Sequence, residues 1–333
     1  MSCHPSDTVP TPPVDISVVI PCYDRMDLLE RTLRACMAQT GMQGRQWEIV
    51  VADNNPARLA SPLTARLQPD SPVPLRHVAA GARNIAQARN LGIAAAKGRL
   101  IAFVDDDEAP YPDWLAAHHA CLERTGADAS FGPKYPVFAS GSPPTWDPQG
   151  RFYTTDFGLP ADTQLHPLRW FPPQARGLGT GNSMLRRSTC LPGPTPFDEA
   201  FGRCGGEDTL LLLGLAAKGR KFVWCPTARV REFNEAGRES FAYMCQRVRR
   251  SSRHSAAVRL TISHNRLMAR LGIYAVAAAQ AAVYGALWFL RKRPSDYLQI
   301  CKALGKAGIG SLDFIAEAAD NTAPPPPAGR AQP

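Results

Sequence analysis

Three short apolar stretches alternate with two stretches of helical spacing in the first 104 residues. The strand-like stretches are ISVVIP (16–21), WEIVVA (47–52) and RLIAFV (99–104). Between them lie DLLERTLRACMAQT, whose apolar residues recur every three or four positions, and the alanine-rich NIAQARNLGIAAAKG. This strand–helix alternation is typical of a doubly wound α/β unit with a mostly parallel sheet. We therefore predict an α/β fold built around these three strands.

A polar turn follows each of the three predicted strands: PCYD, ADNN and DDDE. Ligands of open parallel sheets bind beyond the carboxyl ends of the strands, so the three turns are expected to face one site. One such turn alone could equally be an ordinary solvated turn. The adjacent carboxylates of residues 105–108 repel one another, and a hard cation such as Mg²⁺ or Mn²⁺ would relieve that repulsion. Because the chain lacks GxxxxGK[ST] and has no GxGxxG after the first strand, handling of phosphate through a metal is favoured.

A second acidic motif, GGED, opens a predicted helix at about Glu207. The positive end of a helix dipole favours an ionised carboxylate in the first turn, so Asp208 is suited to accept a proton. Read alone, ED is also an ordinary charged first turn. Together with the acidic turns upstream, it indicates a catalytic site.

Five segments, in matching order and spacing, resemble the inverting family-2 glycosyltransferases, which have the GT-A fold. They are ISVVIPCYDRMDLLERTLRACMAQ, EIVVADNN, ARNLGIAAAKGRLIAFVDDDE, GTGNSMLRR and FDEAFGRCGGEDTLLLLGLAAKG, within residues 15–235. The region after residue 225 is most similar to bacterial enzymes that build exopolysaccharide repeat units on a lipid carrier, such as the succinoglycan-type transferases. The resemblance implies a transferase of surface polysaccharide biosynthesis that uses a nucleotide-sugar, expected to be a UDP-sugar.

The resemblance assigns four residues to the nucleotide end of the donor. Pro21 and Tyr23 would line the base pocket, and Asp53 would hydrogen-bond the base. Arg89, in the segment ARN, would lie near the base or the diphosphate.

The turn DDDE corresponds to the family's DXD-type motif. Asp107 would coordinate Mn²⁺ or Mg²⁺, Asp106 would contact the ribose, and Asp105 would support them directly or through water. For Glu108 we predict no role and expect a carboxylate that points to solvent.

The resemblance implies that Asp208 is the general base and that Glu207 orients the acceptor. Asn182, in GTGN, would lie near the sugar or the acceptor. Glu232 lies where some relatives place an additional metal or acceptor ligand, although a solvated strand-end glutamate is as reasonable.

The expected reaction is transfer of a single sugar with inversion. The Q/RxxRW signature of processive members is absent, since QRVRR at 246–250 lacks the tryptophan. Two other classes remain as alternatives: a non-catalytic, membrane-docked scaffold with the same fold, and a nucleotidyltransferase. The acidic set argues against the scaffold, and PCYDRMD is unlike the glycine-rich basic loop that a nucleotidyltransferase requires.

The region after residue 238 is basic and then apolar. The formal net charge is +9, and residues 240–295 contain ten Arg and Lys but no Asp or Glu. Residues 271–290 are uncharged and long enough to cross a bilayer. They could span the membrane, lie in its cytoplasmic leaflet, or form a buried alanine-rich helix. We expect an anionic membrane surface as partner, and no nucleic acid, because the aromatics lie apart from the arginines.

An acceptor linked to lipid diphosphate would account for the basic region. Its phosphates could be bound by some of the arginines Arg247, Arg249, Arg250 and Arg253.

The predicted organisation has four parts: a disordered tail (1–14), the transferase domain (15–238), a basic and apolar helical region (239–318) and a disordered Pro/Ala tail (319–333). No secretory signal is visible, so we expect a cytoplasmic protein at the inner face of the membrane.

Overall fold

The computed structural model describes residues 14–81, 83–168, 178–203 and 205–308. The strands are β1 (Ile16–Cys22), β2 (Trp47–Asp53), β3 (Leu75–Ala79), β4 (Leu100–Phe103), β5 (Glu108–Pro110), β6 (Ala129–Phe131), β7 (Lys134–Phe138), β8 (Gln164–Leu165), β9 (Ser183–Arg186), β10 (Phe222–Trp224) and β11 (Val230–Asn234). The α-helices are α1 (Met26–Met37), α2 (Ala60–Leu67), α3 (Ile85–Ala95), α4 (Trp114–Thr125), α5 (Arg187–Cys190), α6 (Glu207–Ala217), α7 (Phe241–Ile262), α8 (Arg266–Arg291) and α9 (Pro294–Ala307). The predicted tails fall almost entirely outside the described residues.

The central sheet has eight strands in the order β3-β2-β1-β4-β9-β6-β10-β8. Strands β3, β2, β1 and β4 are parallel neighbours, and β10 is parallel to β6. Strand β9 runs antiparallel between β4 and β6, and β8 is antiparallel to β10. The chain moves outward from β1 to β3 and then returns to β4 on the other side of β1. The carboxyl ends of β1 and β4 therefore flank the switch point where α/β sheets bind ligands.

Helices cover both faces of this sheet, and β1 and β2 are therefore buried along their whole length. Alternate strand residues point to opposite faces. Val18 and Ile20 pack in the cluster that contains residues of α1, α2 and α4. Val19 and Val50 pack in the cluster that contains residues of α3 and α6. The predicted α/β fold with a parallel-rich sheet is confirmed.

A second sheet of three strands, β5-β11-β7, lies beside the carboxyl end of β4. Strand β11 is antiparallel to β5, which places Glu232 opposite Glu108, and parallel to β7, which begins at Lys134. This small sheet brings residues more than 100 positions apart against the acidic turn.

The last three helices form a layer on the α/β domain. Val258 of α7 packs with Phe201 and Leu213, and Met244 of α7 packs with Leu298 of α9. Helix α8 reverses direction and lies along α9, where Gln280 accepts a hydrogen bond from Lys306 at 2.5 Å. The seven cysteines in the described ranges are free thiols.

Candidate active site

The acidic turn lies at the carboxyl edge of the central sheet, between the end of β4 and the start of β5. Asp106 and Asp107 are both buried, although each carries a carboxylate. Burial raises the pKa of Asp106 to about 7, and the charges of Asp105 and Asp107 act in the same direction, while Arg25 opposes them. A turn that holds so much negative charge out of water requires cations close by.

Two arginines supply positive charge to this turn. Arg25, which directly precedes α1, forms ion pairs with Asp106 and Asp107, the second at 2.5 Å from Nη1 to Oδ2. Arg238 Nη1 lies 3.4 Å from the same Oδ2 of Asp107. Both contacts use the same oxygen of Asp107, Oδ2.

Glu108 is 1% exposed, so the expectation that its carboxylate points to solvent is wrong. It accepts a hydrogen bond from the backbone N–H of Asp105 at 3.1 Å and forms an ion pair with Lys134. Lys134 Nζ also lies 3.8 Å from Asp105 Oδ2. Burial raises the pKa of Glu108, whereas the ammonium of Lys134 favours its charged form. The Glu108 side chain thus stabilises the turn from inside the protein, through its contacts with the Asp105 N–H and with Lys134.

Arg89 joins the two acidic motifs. It is 3% exposed. Its Nη1 contacts Glu207 Oε1 at 2.5 Å, and its Nη2 contacts Asp105 Oδ1 at 3.3 Å. Glu207 is also buried, which raises its pKa, and among the described residues its second oxygen has no hydrogen-bond partner. DDDE and GGED, a hundred residues apart in sequence, therefore share one cation.

Asp208 lies at the mouth of this arrangement and is half-buried, unlike Glu207. Gly206, at φ 102°, turns the chain into α6, and Asp208 Oδ1 accepts a hydrogen bond from the N–H of Thr209 at 2.6 Å. This hydrogen bond fixes the carboxylate at the N-terminus of α6. Its other oxygen, Oδ2, lies 2.9 Å from where a Cβ on Gly179 would stand.

Gly181 approaches the acidic turn as closely as Gly179 approaches Asp208. A Cβ on Gly181 would overlap the carboxylate of Asp105 and the ammonium of Lys134. The GTG segment thus forms one wall of the site, and at these two positions a side chain would displace a charged group.

The predicted base pocket lies at the ends of β1 and β2. Cys22 pairs with Asp53 in register, and Pro21 is buried one residue earlier. Tyr23 is half-buried and stacks with the guanidinium of Arg83, 4.9 Å from the ring centroid. The pocket therefore offers an aromatic face and a cation where the base was expected.

Asp53 itself is fully buried, and both of its oxygens accept local hydrogen bonds. Oδ1 accepts from the N–H of Asn55 at 3.0 Å, and Oδ2 accepts from the N–H of Ala60 at 2.9 Å. His77 Nε2 lies 3.1 Å from Oδ2. The structure thus places Asp53 at the predicted edge, where it organises the turn after β2.

The side chain of Asn182 is likewise used inside the protein. Its Oδ1 accepts hydrogen bonds from Trp114 Nε1 at 2.7 Å and from His118 Nε2 at 3.0 Å. Its Nδ2 donates to the carbonyl oxygens of Pro133 and Ala228 at 2.8 and 2.9 Å. With φ at 55°, Asn182 ends the GTG wall and anchors it to the core.

Glu232 lies across from Glu108, as the register of β5 and β11 requires. Burial raises its pKa, whereas Lys134 and Arg247 favour the charged form. Arg247 Nη2 of α7 is 3.8 Å from Glu232 Oε1, so the basic helix reaches the rim of the site.

Reasoning from sequence missed four side chains that shape this site: Arg25, Arg83, Lys134 and Arg238. Arg25 has a sequence signal, because it lies two residues beyond Tyr23 in the first turn. Lys134 and Arg238 have none, because strand pairing in the small sheet brings them to the turn. In the described parts of the chain, no three His, Cys, Asp or Glu residues form a ready-made metal cage.

The sequence and the fold both match known proteins. Residues 17–190 match the family described as Glycosyl transferase family 2. The succinoglycan biosynthesis protein ExoM of Rhizobium meliloti (strain 1021) is 30% identical over 261 residues, which are 78% of this chain and 77% of that protein. The succinoglycan biosynthesis protein ExoO of the same organism is 36% identical over 113 residues, which are 34% of this chain and 30% of that protein.

Among solved structures, S. aureus TarS 1–349 in complex with UDP-GlcNAc has a TM-score of 0.56 at 15% identity, covering 92% of this chain and 83% of that one. A longer TarS structure has a TM-score of 0.53 at 14% identity, covering 93% of this chain, which spans 53% of its length. Likeness at such low identity concerns the fold alone. It agrees with the GT-A architecture implied by the sequence.

Proposed function

This chain belongs to glycosyltransferase family 2, and we propose that it transfers one sugar, with inversion, from a nucleotide-sugar to a saccharide acceptor. The proposal is carried by one observation: Arg89 holds Asp105 of DDDE and Glu207 of GGED in the same buried network. The proposed site of the charged leaving group and a carboxylate able to take a proton would therefore lie close together, on either side of Arg89. A nucleotidyltransferase or a scaffold has no need of that pairing.

Asp208 is assigned as the general base. It would take the proton of the acceptor hydroxyl as that oxygen attacks the anomeric carbon, while the bond from this carbon to the diphosphate oxygen breaks. Attack from the face opposite the leaving group converts an α-configured donor into a β-linked product. Glu207 is buried against Arg89, so it positions the start of α6 and the acceptor side of the cavity.

The diphosphate of the donor is assigned to the turn that contains Asp107. Its carboxylate oxygens are hard ligands suited to Mn²⁺ or Mg²⁺, and Oδ1 is free of the two arginines. These residues fit a divalent ion held by Asp107, with the remaining ligands drawn from phosphate and water. When bound, such an ion stabilises negative charge on the departing diphosphate. Arg25 and Arg238 would bind and orient the phosphates.

A UDP-sugar is the proposed donor. The TarS structure of matching fold was solved with UDP-GlcNAc, which supports this choice by fold alone. Pro21, Tyr23 and Arg83 would receive the base, with Asp106 near the ribose. Asp53 and Asn182 would maintain the pocket from behind, since their polar atoms bond within the protein.

The proposed acceptor is a glycan carried on a lipid diphosphate, in a pathway of the succinoglycan type, at the cytoplasmic face of the membrane. Arg249 and Arg250 of α7 are exposed, and Arg247 reaches Glu232 at the rim of the site. Basic side chains on this helix could bind acceptor phosphates next to the reacting hydroxyl. We place the boundary between the transferase domain and the basic helical region near residue 238, just before α7 begins at Phe241.

The test is a screen of nucleotide-sugars with the purified full chain, which measures release of nucleoside diphosphate with Mn²⁺, with Mg²⁺ and with EDTA. We expect one donor class to turn over and chelation to abolish turnover. Asp107→Asn should raise the Mn²⁺ concentration needed for half-maximal rate.

The matched control is Asp113→Asn, an exposed aspartate before α4 whose side chain caps nothing. It should leave turnover unchanged. Turnover that persists in EDTA would contradict the metal assignment. An α-linked product from an α-configured donor would contradict inversion.

A further inference from the structure

The three-helix layer carries one surface that the transfer reaction does not use: the outer face of α8. Its exposed residues recur every three or four positions, so they form a single stripe along the helix. From residue 271 onward the stripe is Leu271, Ala275, Ala278, Ala279, Ala282, Val283, Ala286, Phe289 and Leu290. Phe289 is 71% exposed and Leu290 is 76% exposed, and no charge interrupts the row.

Length and composition alone would allow this helix to cross a membrane. Among the described helices, α8 alone meets that test, and 11% of its most apolar stretch is buried within the protein. The low burial rules out the alternative of a core helix packed on all sides. At about 1.5 Å per residue, its 26 residues would cover a hydrocarbon core of about 30 Å.

The inner face of α8 distinguishes a span from a surface helix. Gln280, near the middle of α8, accepts a hydrogen bond from Lys306 Nζ at 2.5 Å and donates one to Gln299 at 2.9 Å. Both partners belong to α9, a helix of 14 residues that is too short to span. If α8 crossed the bilayer, this amide and ammonium would lie near its centre, where a charged side chain is strongly disfavoured.

Helix α9 also cannot leave the protein with α8. Gly305 meets α7 so closely that a Cβ there would overlap the carbonyl oxygen of Arg249 and lie 2.9 Å from Ser252 Cβ. Helix α7 is fixed to the α/β domain through Val258. A transmembrane α8 would therefore have to draw two polar helices into the hydrocarbon or break these contacts.

Basic residues lie at both ends of the stripe and are exposed to solvent: Arg266, Arg270, Arg291, Lys292 and Arg293. Lys292 also lies over the rings of Trp288 and Phe289, at 4.2 and 5.1 Å. An apolar row bounded at each end by cations fits the boundary between acyl chains and anionic headgroups.

We infer that α8 lies in the plane of an anionic membrane, with its outer stripe in one leaflet, and does not cross it. This orientation rests on the membrane attachment proposed above, but not on the transfer chemistry. Helix α9 and the catalytic domain then stay on the same side of the bilayer, and the basic helix α7 lies between the site and the lipid.

The test uses the full chain with a protease-cleavable tag after residue 333, mixed with vesicles of phosphatidylcholine with or without phosphatidylglycerol. We expect flotation with the anionic vesicles, reduced by salt, and complete cleavage of the tag by external protease without detergent. A tag protected until detergent is added would overturn the in-plane orientation while leaving membrane attachment intact. No flotation with either vesicle would overturn both.

Val283→Glu and Phe289→Glu should lower the floated fraction at least tenfold. Leu59→Glu, an exposed leucine at the start of α2, is the matched control and should float normally. Donor turnover in solution should be unchanged in all three variants, which separates this inference from the proposed chemistry. If the α8 variants instead dissociate a dimer in solution and still float, the stripe is a subunit interface and the inference is wrong.

Discussion

The acidic turn and the outer face of α8 both depart from the usual distribution of residues, in opposite directions. At the turn, charged groups are buried, and Glu108 is 1% exposed. On α8, large apolar side chains are exposed, and Leu290 is 76% exposed. The turn contains its own counter-charges from Arg25, Lys134 and Arg89. The stripe has no apolar partner within the described residues.

This difference in burial indicates that the acidic turn has its binding partners within the protein, whereas the stripe on α8 does not. Because the buried carboxylates already have cationic partners, their arrangement does not depend on a bound ligand. We therefore expect the proposed donor site to be preorganised. Helix α8 is held in place by the face that packs on α9. The apolar stripe on its other face is expected to contact a surface outside the chain.

The largest effect is expected from Asp208→Asn. Loss of a positioned general base should lower the transfer rate by about 10² to 10⁴-fold, with donor binding unchanged. Because Asp208 is half-buried and bonds mainly to its own helix start, the thermal midpoint should change little. Steady-state kinetics and calorimetry measure the two quantities, and a full rate in this variant would refute the base assignment.

Lys134→Met should destabilise the protein, because it leaves the buried Glu108 carboxylate without its cation and removes one of the two cations beside the half-buried Asp105. We expect the free energy of unfolding to fall by about 3 to 5 kcal/mol. Arg34→Met removes an exposed pair with Glu30 and should cost at most about 1 kcal/mol. Denaturant titration compares them, and equal losses would show that the turn is not internally compensated. Adding Glu108→Gln to Lys134→Met should restore much of the loss.

Acid should weaken the support behind the GTG wall through His118. This residue is fully buried, its Nε2–H donates to Asn182, and burial lowers its pKa to about 4. Between pH 6.5 and pH 4, the His118 imidazole is protonated in the unfolded chain but stays neutral in the folded one. Stability is therefore complete above pH 6.5 and is lost as the pH falls toward 4, by roughly 3 kcal/mol.

His118→Gln should be less stable at pH 7 but should lose less stability between pH 6.5 and 4 than the unmodified chain. His264→Gln, at an exposed position, is the control and should keep the original pH dependence. Parallel pH profiles for His118→Gln and the unmodified chain would argue against a buried neutral histidine.

The smallest effect is expected from Gln280→Ala, which removes the polar contact between α8 and α9. The cost should be about 1 kcal/mol, because hydrogen bonds at a half-buried site contribute little more than this. Vesicle flotation should be unaffected, since Gln280 lies on the inner face. Loss of flotation would show that the inner face, rather than the stripe, meets the lipid.

Local sequence patterns predict the α/β fold and indicate the sheet edge at which the candidate site lies. Alternating apolar stretches and helical spacing require a parallel-rich sheet, and such a sheet brings the polar ends of its strands to one edge. Residues 47–53 and 100–103 form strands as predicted, and α6 begins at Glu207. These features depend on residues close together in the chain, so a local pattern reports them.

The groups that surround each carboxylate, by contrast, are set by long-range packing and cannot be predicted from local patterns. Lys134 and Arg238 reach DDDE through the pairing of β5, β7 and β11, and Arg89 reaches Glu207 across 118 residues. The same long-range packing turned the expected solvent-facing Glu108 inward. It also placed the polar α9 along α8, a contact that hydropathy cannot report because it depends on which face of a helix meets a neighbour.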